Sequence, residues 1–220
     1  MNDRRGFFLL ALLMIPSMSN AQVPVRNEPR HKNVFENKYL RLLDVHIAPG
    51  DTSLFHIHAT PSFFLIFTST TVGAQIAGKD WAIAQNVAGD SWYTSFLNDT
   101  LIHRVTNCDT VPFHVTDMEI LNSYTNGRPI KPLPVDVLLE NEKVLAYGLR
   151  NSSLDQKVIS KRGPIIAQLV EGDQILVHDQ KTKKTKEIKK GGHLYIEPQS
   201  SFYFTAVGEG KIYLVLVEIK

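Results

Sequence analysis

The sequence predicts an all-β chain of two tandem antiparallel barrels or sandwiches, and three observations carry that expectation. Short runs rich in Val, Ile, Phe and Tyr recur along its 220 residues. Turn signals separate them, among them APGD (48–51), AGKD (77–80), AGD (88–90), VEGD (170–173) and GEG (208–210). The third observation is a repeat: ENKYLRLLDVH at 36–46 and ENEKVLAYGLR at 140–150 both open Glu-Asn, 104 positions apart, and each is followed by several strand-like runs. Convincing amphipathic helices are scarce.

The elements follow in chain order. Residues 1–21 carry a basic start (Arg4, Arg5), an apolar run from Phe7 to Ile15, and small residues at Ser19 and Ala21, which together read as an export signal. The apolar run falls short of the ~20 residues a membrane span needs. The mature chain is therefore expected to begin near Gln22, exported to the periplasm or secreted, with no membrane contact after signal removal. No Cys follows the apolar run to take a lipid anchor, and Arg4-Arg5 only loosely matches a twin-arginine pattern. Residues 22–34 read as a polar leader, 35–122 as a first β module, 123–138, with its prolines, as a linker, and 139–220 as a second β module. Strands are expected at 62–68, 72–76, 101–105 and 113–121 in the first module. In the second they are expected at 164–170, 174–178, 192–196, 202–206 and 212–219. The basic run QKTKKTKEIKK (180–190) reads as a solvated hairpin turn.

Composition narrows the function classes. With 43% hydrophobic and 21% charged residues the chain is an ordinary globular one, not a disordered one. Without residues 1–21 the balance is 22 basic to 21 acidic residues, which gives no electrostatic reason to expect nucleic acid as a partner. Cys108 is the single cysteine, so no intrachain disulfide forms, and no base adjoins it to make a nucleophile. Phosphate-binding Gly loops, Ser-centred elbows and paired-carboxylate motifs are absent.

What remains is histidine. In GDTSLFHIHATPSFF (50–64), His56 and His58 lie one residue apart, so on an extended strand they share a face, with Phe55 and Ile57 on the other. On a second strand Leu101, His103 and Val105 share a face. Three neutral imidazoles from two strands supply three nitrogen ligands and leave coordination positions open on Zn, Fe, Ni, Mn or Cu. Gln75, on an intervening strand, is the one candidate for a fourth ligand. The bland alternative for each histidine is a hydrogen-bonded core residue. His31 in the leader, His46 and His114 singly on strands, and His178 and His193 near turns are expected to be accounted for by packing or exposure. Trp81 and Trp92 are expected to fill a core, with lining a pocket as the alternative.

Gly50, five residues, then His56-Ile57-His58, with Gly89 and His103-Arg104-Val105-Thr106-Asn107 beyond, resemble the two motifs of the cupin superfamily. GHLYIEP (192–198) is similar to the opening of the second motif, with Tyr203 falling where its histidine would stand. The chain departs from the pattern at the motif glutamate, for which it has Ser62 or Phe63, and at the glycine after it, replaced by Ser69 or Thr70. The resemblance implies a bicupin: two tandem jelly-roll barrels, the first holding one divalent metal ion (Fe, Zn, Mn or Ni) on His56, His58 and His103, the second degenerate. It is similar to thiol-dioxygenase-type cupins, which hold ferrous iron on three histidines without the glutamate. The implied function is an oxygenase or isomerase acting on a small organic molecule. Two alternatives stand beside it: a non-catalytic periplasmic protein that binds or senses a small sugar or acid, and a structural role in which the second module covers a sheet face of the first or the sheets pair in a homodimer.

Overall fold

A computed structural model describes residues 22–125, 130–151 and 157–220; the expected export signal, residues 1–21, lies outside them. The first half contains β1 (Val23–Pro24), β2 (His31–Glu36), β3 (Leu40–Ile47), β4 (His56–His58), β5 (Ser62–Ile66), β6 (Thr70–Ile76), β7 (Trp81–Asn86), β8 (Ser91–Thr94), β9 (Leu101–Asn107) and β10 (Phe113–Ile120). The second half contains β11 (Asp136–Glu140), β12 (Val144–Arg150), β13 (Ile159–Ser160), β14 (Ile165–Glu171), β15 (Gln174–Asp179), β16 (Thr185–Lys189), β17 (His193–Ile196), β18 (Ser201–Val207) and β19 (Tyr213–Ile219). A short 3-10 turn, Val25–Asn27, follows β1, and no helix among the described residues is long and apolar enough to cross a membrane.

Four sheets result. In the first half β1-β4-β9-β6-β7 faces β2-β3-β10-β5-β8. In the second β11-β12-β19-β14-β17 faces β13-β18-β15-β16. Strand alternation then sorts side chains into three cores. Leu43, Val45, Ile47, Phe113 and Val115 point into the first barrel. Leu145, Leu149, Leu169, Phe202, Phe204 and Leu214 fill the second. The opposite faces of the same central strands meet each other: Leu40, Leu42, Phe63 and Met118 of the first barrel pack on Val144, Ala146, Ile166, Val215 and Val217 of the second. Burying each large aliphatic chain in this seam contributes about 1.5–3 kcal/mol, so neither barrel leaves that sheet face to water. A buried polar pair crosses the seam, the Thr116 hydroxyl donating to Gln168 Oε1 at 2.7 Å.

The Glu-Asn repeat has a physical explanation here. Asn37 Oδ1 accepts the backbone N–H groups of Tyr39 and Leu40 at 2.8 and 3.1 Å, while its own N–H donates to the Leu40 carbonyl. Asn141 does the same for Lys143 and Val144 at 2.8 and 2.9 Å. Each Asn closes the turn that launches a seam strand, β3 or β12, and short side-chain amides are suited to that work.

Several expectations need correction. Residues 22–34 are not a detached leader: β1 pairs in parallel with β4, and β2 pairs with β3. The linker range ends inside β11, which pairs with β12. The strands β7 and β8 escaped the sequence reading because β7 is an edge with five of its six residues exposed, so no alternation of apolar and polar residues marks it. In the basic run only 180–184 forms the turn; Thr185–Lys189 is itself the returning strand β16. Trp81 and Trp92 are not core residues: Trp81 lies exposed under Arg104, and Trp92 stacks on Phe64 at the rim of the first barrel. Gly89, matched to the second motif, has φ +96°, and a Cβ there would lie 2.5 Å from the Tyr213 ring of the other barrel, so only glycine fits that turn.

Candidate metal centre

β4 pairs with β9 so that His56 lies directly opposite His103 and His58 opposite Leu101. Both strands turn these histidines inward, and the structure brings His56, His58 and His103 together, one ligand nitrogen of each within 4.8 Å of the others. His56 and His58 are buried and His103 is partly so.

A hydrogen bond fixes the tautomer of His56. His56 Nδ1 is 2.9 Å from the Leu54 carbonyl, which can only accept, so Nδ1 carries the proton and Nε2 the lone pair. That Nε2 is buried without a partner. His58 Nδ1 is 3.3 Å from the Asp117 carboxylate, which favours its proton on that nitrogen, and His58 Nε2 faces His103 Nε2 at 3.1 Å. Burial, with the neighbouring imidazoles, lowers His56 to about 3 and His103 to about 2, so both stay neutral. Imidazole nitrogens converging on one point are what a divalent cation requires, and the orphaned His56 Nε2 is a polar atom that a cation would satisfy. The residues present fit a metal.

The glutamate position is vacant in chemical terms. Ser62 donates to the Thr60 carbonyl, and Phe63 is turned into the seam. Gln75 does not serve either: its amide faces away, accepting from Arg104 Nε at 2.8 Å and donating to the Lys79 carbonyl. Asn107 anchors the turn after β9 through bonds to the Ile47 and Val111 carbonyls.

Sequence reasoning missed three contributors. Asp117 on β10 is 1% exposed, reaches His58 from the facing sheet, and neither of its oxygens makes a hydrogen bond. Only the strand alternation that sets it among Phe113 and Val115 hints at an inward carboxylate. His31 sits against His56, ring centroids 4.7 Å apart, and is fixed by Glu28, whose carboxylate lies 2.7 Å from His31 Nδ1. Burial pushes the Glu28 carboxyl up, but bonds from His31, Leu54 N–H and Arg30 N–H together hold it down at about 2. Phe96 stacks on His58 at 5.2 Å with φ +53°, a backbone conformation that costs an aromatic residue about 1–3 kcal/mol and marks a constrained roof over the site.

A cavity of about 240 Å³ adjoins the histidines, walled mainly by apolar chains such as Val45, Ile47, Phe64, Val105 and Phe113, with Asp117 and Asn86 as polar points. An outer cleft of about 620 Å³ shares His58, Phe64, Trp92 and His103 with it, so two of the three histidines line both spaces. Among the described residues the second barrel offers no equivalent. Its cross-strand pair on the corresponding strands is Ile159 opposite Phe202, both packed in the core. Tyr203, expected at the missing histidine, points outward and stacks on His178.

No protein-family model and no curated protein matches the sequence. Solved structures do match in shape. A cupin 2 conserved barrel domain protein from Leptotrichia buccalis aligns with a TM-score of 0.53 at 10% identity, over 84% of this chain and 86% of that one. A salicylate 1,2-dioxygenase from Pseudaminobacter salicylatoxidans aligns with 0.55 at 12% identity, over 82% and 71%. An oxalate decarboxylase from Lactobacillus farciminis, solved with formate, aligns with 0.54 at 11% identity, over 83% and 77%. The chain has the cupin fold, in the two-barrel form.

Proposed function

We propose that this cupin-fold chain is a metal-dependent enzyme, an oxygenase or an isomerase, that acts on a small and largely apolar organic molecule in its first barrel after export from the cytoplasm. The observation that carries the reading is the set of three imidazoles converging at the wall of an apolar chamber, with no carboxylate completing the set among the described residues. A bound divalent ion would supply a Lewis acid able to polarise a substrate oxygen.

The chain's own residues do the rest. The Leu54 carbonyl and Asp117 orient His56 and His58, so that their lone pairs are presented without rotation. Apolar walls exclude water from the chamber, which strengthens every polar contact made inside it. Phe64, Trp92 and Phe96 offer flat faces at the entrance, suited to a planar substrate. A salicylate dioxygenase among the structural neighbours favours the oxygenase branch and an aromatic acid as substrate. The basic and apolar pattern of residues 1–21 supports export, and sequencing the amino terminus of the secreted protein should return a chain beginning near Gln22.

Metal analysis tests the centre. Untagged protein reconstituted with Fe, Zn, Mn and Ni in turn should bind one more ion per chain than a His56→Ala/His58→Ala variant does. Equal metal content in the two proteins would remove the enzyme reading and leave a chamber for non-catalytic binding of a small ligand. Oxygen uptake by the loaded protein with thiols, phenols and flavonoids then separates oxygenase from isomerase.

A further inference from the structure

A second group of ligating side chains lies on the facing sheet of the first barrel, on its side turned away from the barrel interior. β3 and β10 pair with His46 directly opposite His114, and Asp44, two residues before His46, shares their face. That face is the one from which Leu40, Leu42, Met118 and Ile120 enter the seam between barrels. At the far end of the two strands the apolar seam gives way to this polar cluster.

Its geometry converges. His114 Nε2 lies 2.7 Å from Asp44 Oδ1, and His46 Nε2 lies 3.1 Å from Asp44 Oδ2. The two rings stack with centroids 4.0 Å apart, and one ligand atom from each residue falls within 4.8 Å of the others. His114 is held from both sides. Phe67 stacks on it at 4.4 Å, and the Gly191 turn of the second barrel approaches so closely that a Cβ there would sit 3.3 Å from His114 Cε1. His46, by contrast, has half its side chain in water and is free to tilt.

Around one divalent ion with bonds of about 2.0–2.2 Å to nitrogen and oxygen, neighbouring ligand atoms sit roughly 3–3.5 Å apart. The two histidine–Asp44 separations, 2.7 and 3.1 Å, lie near that range. Two imidazoles and one carboxylate are a donor set that borderline first-row cations accept, with water completing the shell on the exposed side.

We infer that Asp44, His46 and His114 form a second divalent-metal site, for zinc or a similar late first-row ion, at the mouth of the seam and separate from the buried three-histidine centre. An ion there would pin β3 to β10 where the second barrel rests on them.

Calorimetric titration of chelator-stripped, untagged protein with Zn²⁺ tests it. The native chain should bind one equivalent more than a His46→Gln/Asp44→Asn variant, whatever the buried centre does. The His56→Ala/His58→Ala variant should keep that equivalent. Because His46 is half exposed, the single His46→Gln variant keeps the fold, checked by circular dichroism, and should lose the same equivalent on its own. Equal Zn²⁺ stoichiometry in native and His46→Gln proteins would overturn the assignment, as would loss of all binding in a folded His56→Ala/His58→Ala variant.

Discussion

In the first barrel β4 and β9 place His56 opposite His103; in the second the corresponding strands β13 and β18 place Ile159 opposite Phe202. The central strands differ in the same sense. Ile120 pairs with Leu40, and Ile219 with Val144, the repeat equivalent of Leu40, so Asp117 of β10 corresponds to Leu216 of β19. Two positions further along, both barrels hold a buried glutamate with an arginine: Glu119 accepts from Arg41, and Glu218 from Arg162. A buried carboxylate met by a guanidinium is the ordinary way to keep a charge inside a protein. Asp117 has no such cation, and its unpaired oxygens face a histidine and a cavity. The comparison teaches that the Glu–Arg pairs belong to the scaffold, which both barrels need, whereas the unpaired acid and the imidazoles belong to a site that only one barrel has.

The largest effect expected from breaking this contrast lies in the filled barrel. Phe202→Ala should destabilise by about 3–5 kcal/mol in chemical denaturation, since it empties a packed interior. His103→Ala should cost much less, because that ring already borders a cavity; equal losses would mean that the first barrel is no more hollow than the second.

Acid should separate the barrels next. His56 and His103 refuse protons in the folded state down to about 3 and 2, while the unfolded chain takes them near 6.5. Stability is therefore complete above about 6.5 and declines as pH falls toward 3. Glu28 adds to the loss below its ordinary range, being ionised in the native protein down to about 2. All three groups lie in the first barrel, as do both tryptophans, Trp81 and Trp92. Acid unfolding followed by Trp fluorescence should have its midpoint at higher pH than that followed by far-UV circular dichroism. Coincident midpoints would show that the seam makes the two barrels one cooperative unit.

Asp117→Asn should weaken metal binding about 10–100-fold by loosening the orientation of His58, with thermal stability unchanged or raised. Asp117→Leu, which copies the second barrel, should raise stability further and weaken metal as much; an unaltered metal affinity in both would make Asp117 a bystander. The smallest effects should be symmetrical. Asn37→Ala and Asn141→Ala should each cost about 1 kcal/mol, equal within error, because the two turns use the same pair of hydrogen bonds.

The strands of both barrels, their repeat and the His56–His58 pair were legible in the sequence because alternation along a strand is a local property, set by φ and ψ and visible within a few residues. His103 was legible as a partner only through its motif. Exposed β7 and the strands at 23–36 left no such trace, since their place is decided by what they pair with.

What the sequence determined by itself was therefore the class of fold, the duplication and which strand faces carry imidazoles. Tertiary structure alone decided that Asp117 stands behind His58, that Glu28 and His31 close the site from the amino-terminal segment, and that Asp44, His46 and His114 meet at the seam. These residues come from strands far apart in the chain, and their convergence depends on register and on how sheets stack, which follow from the summed packing of the whole chain and from no short stretch of it.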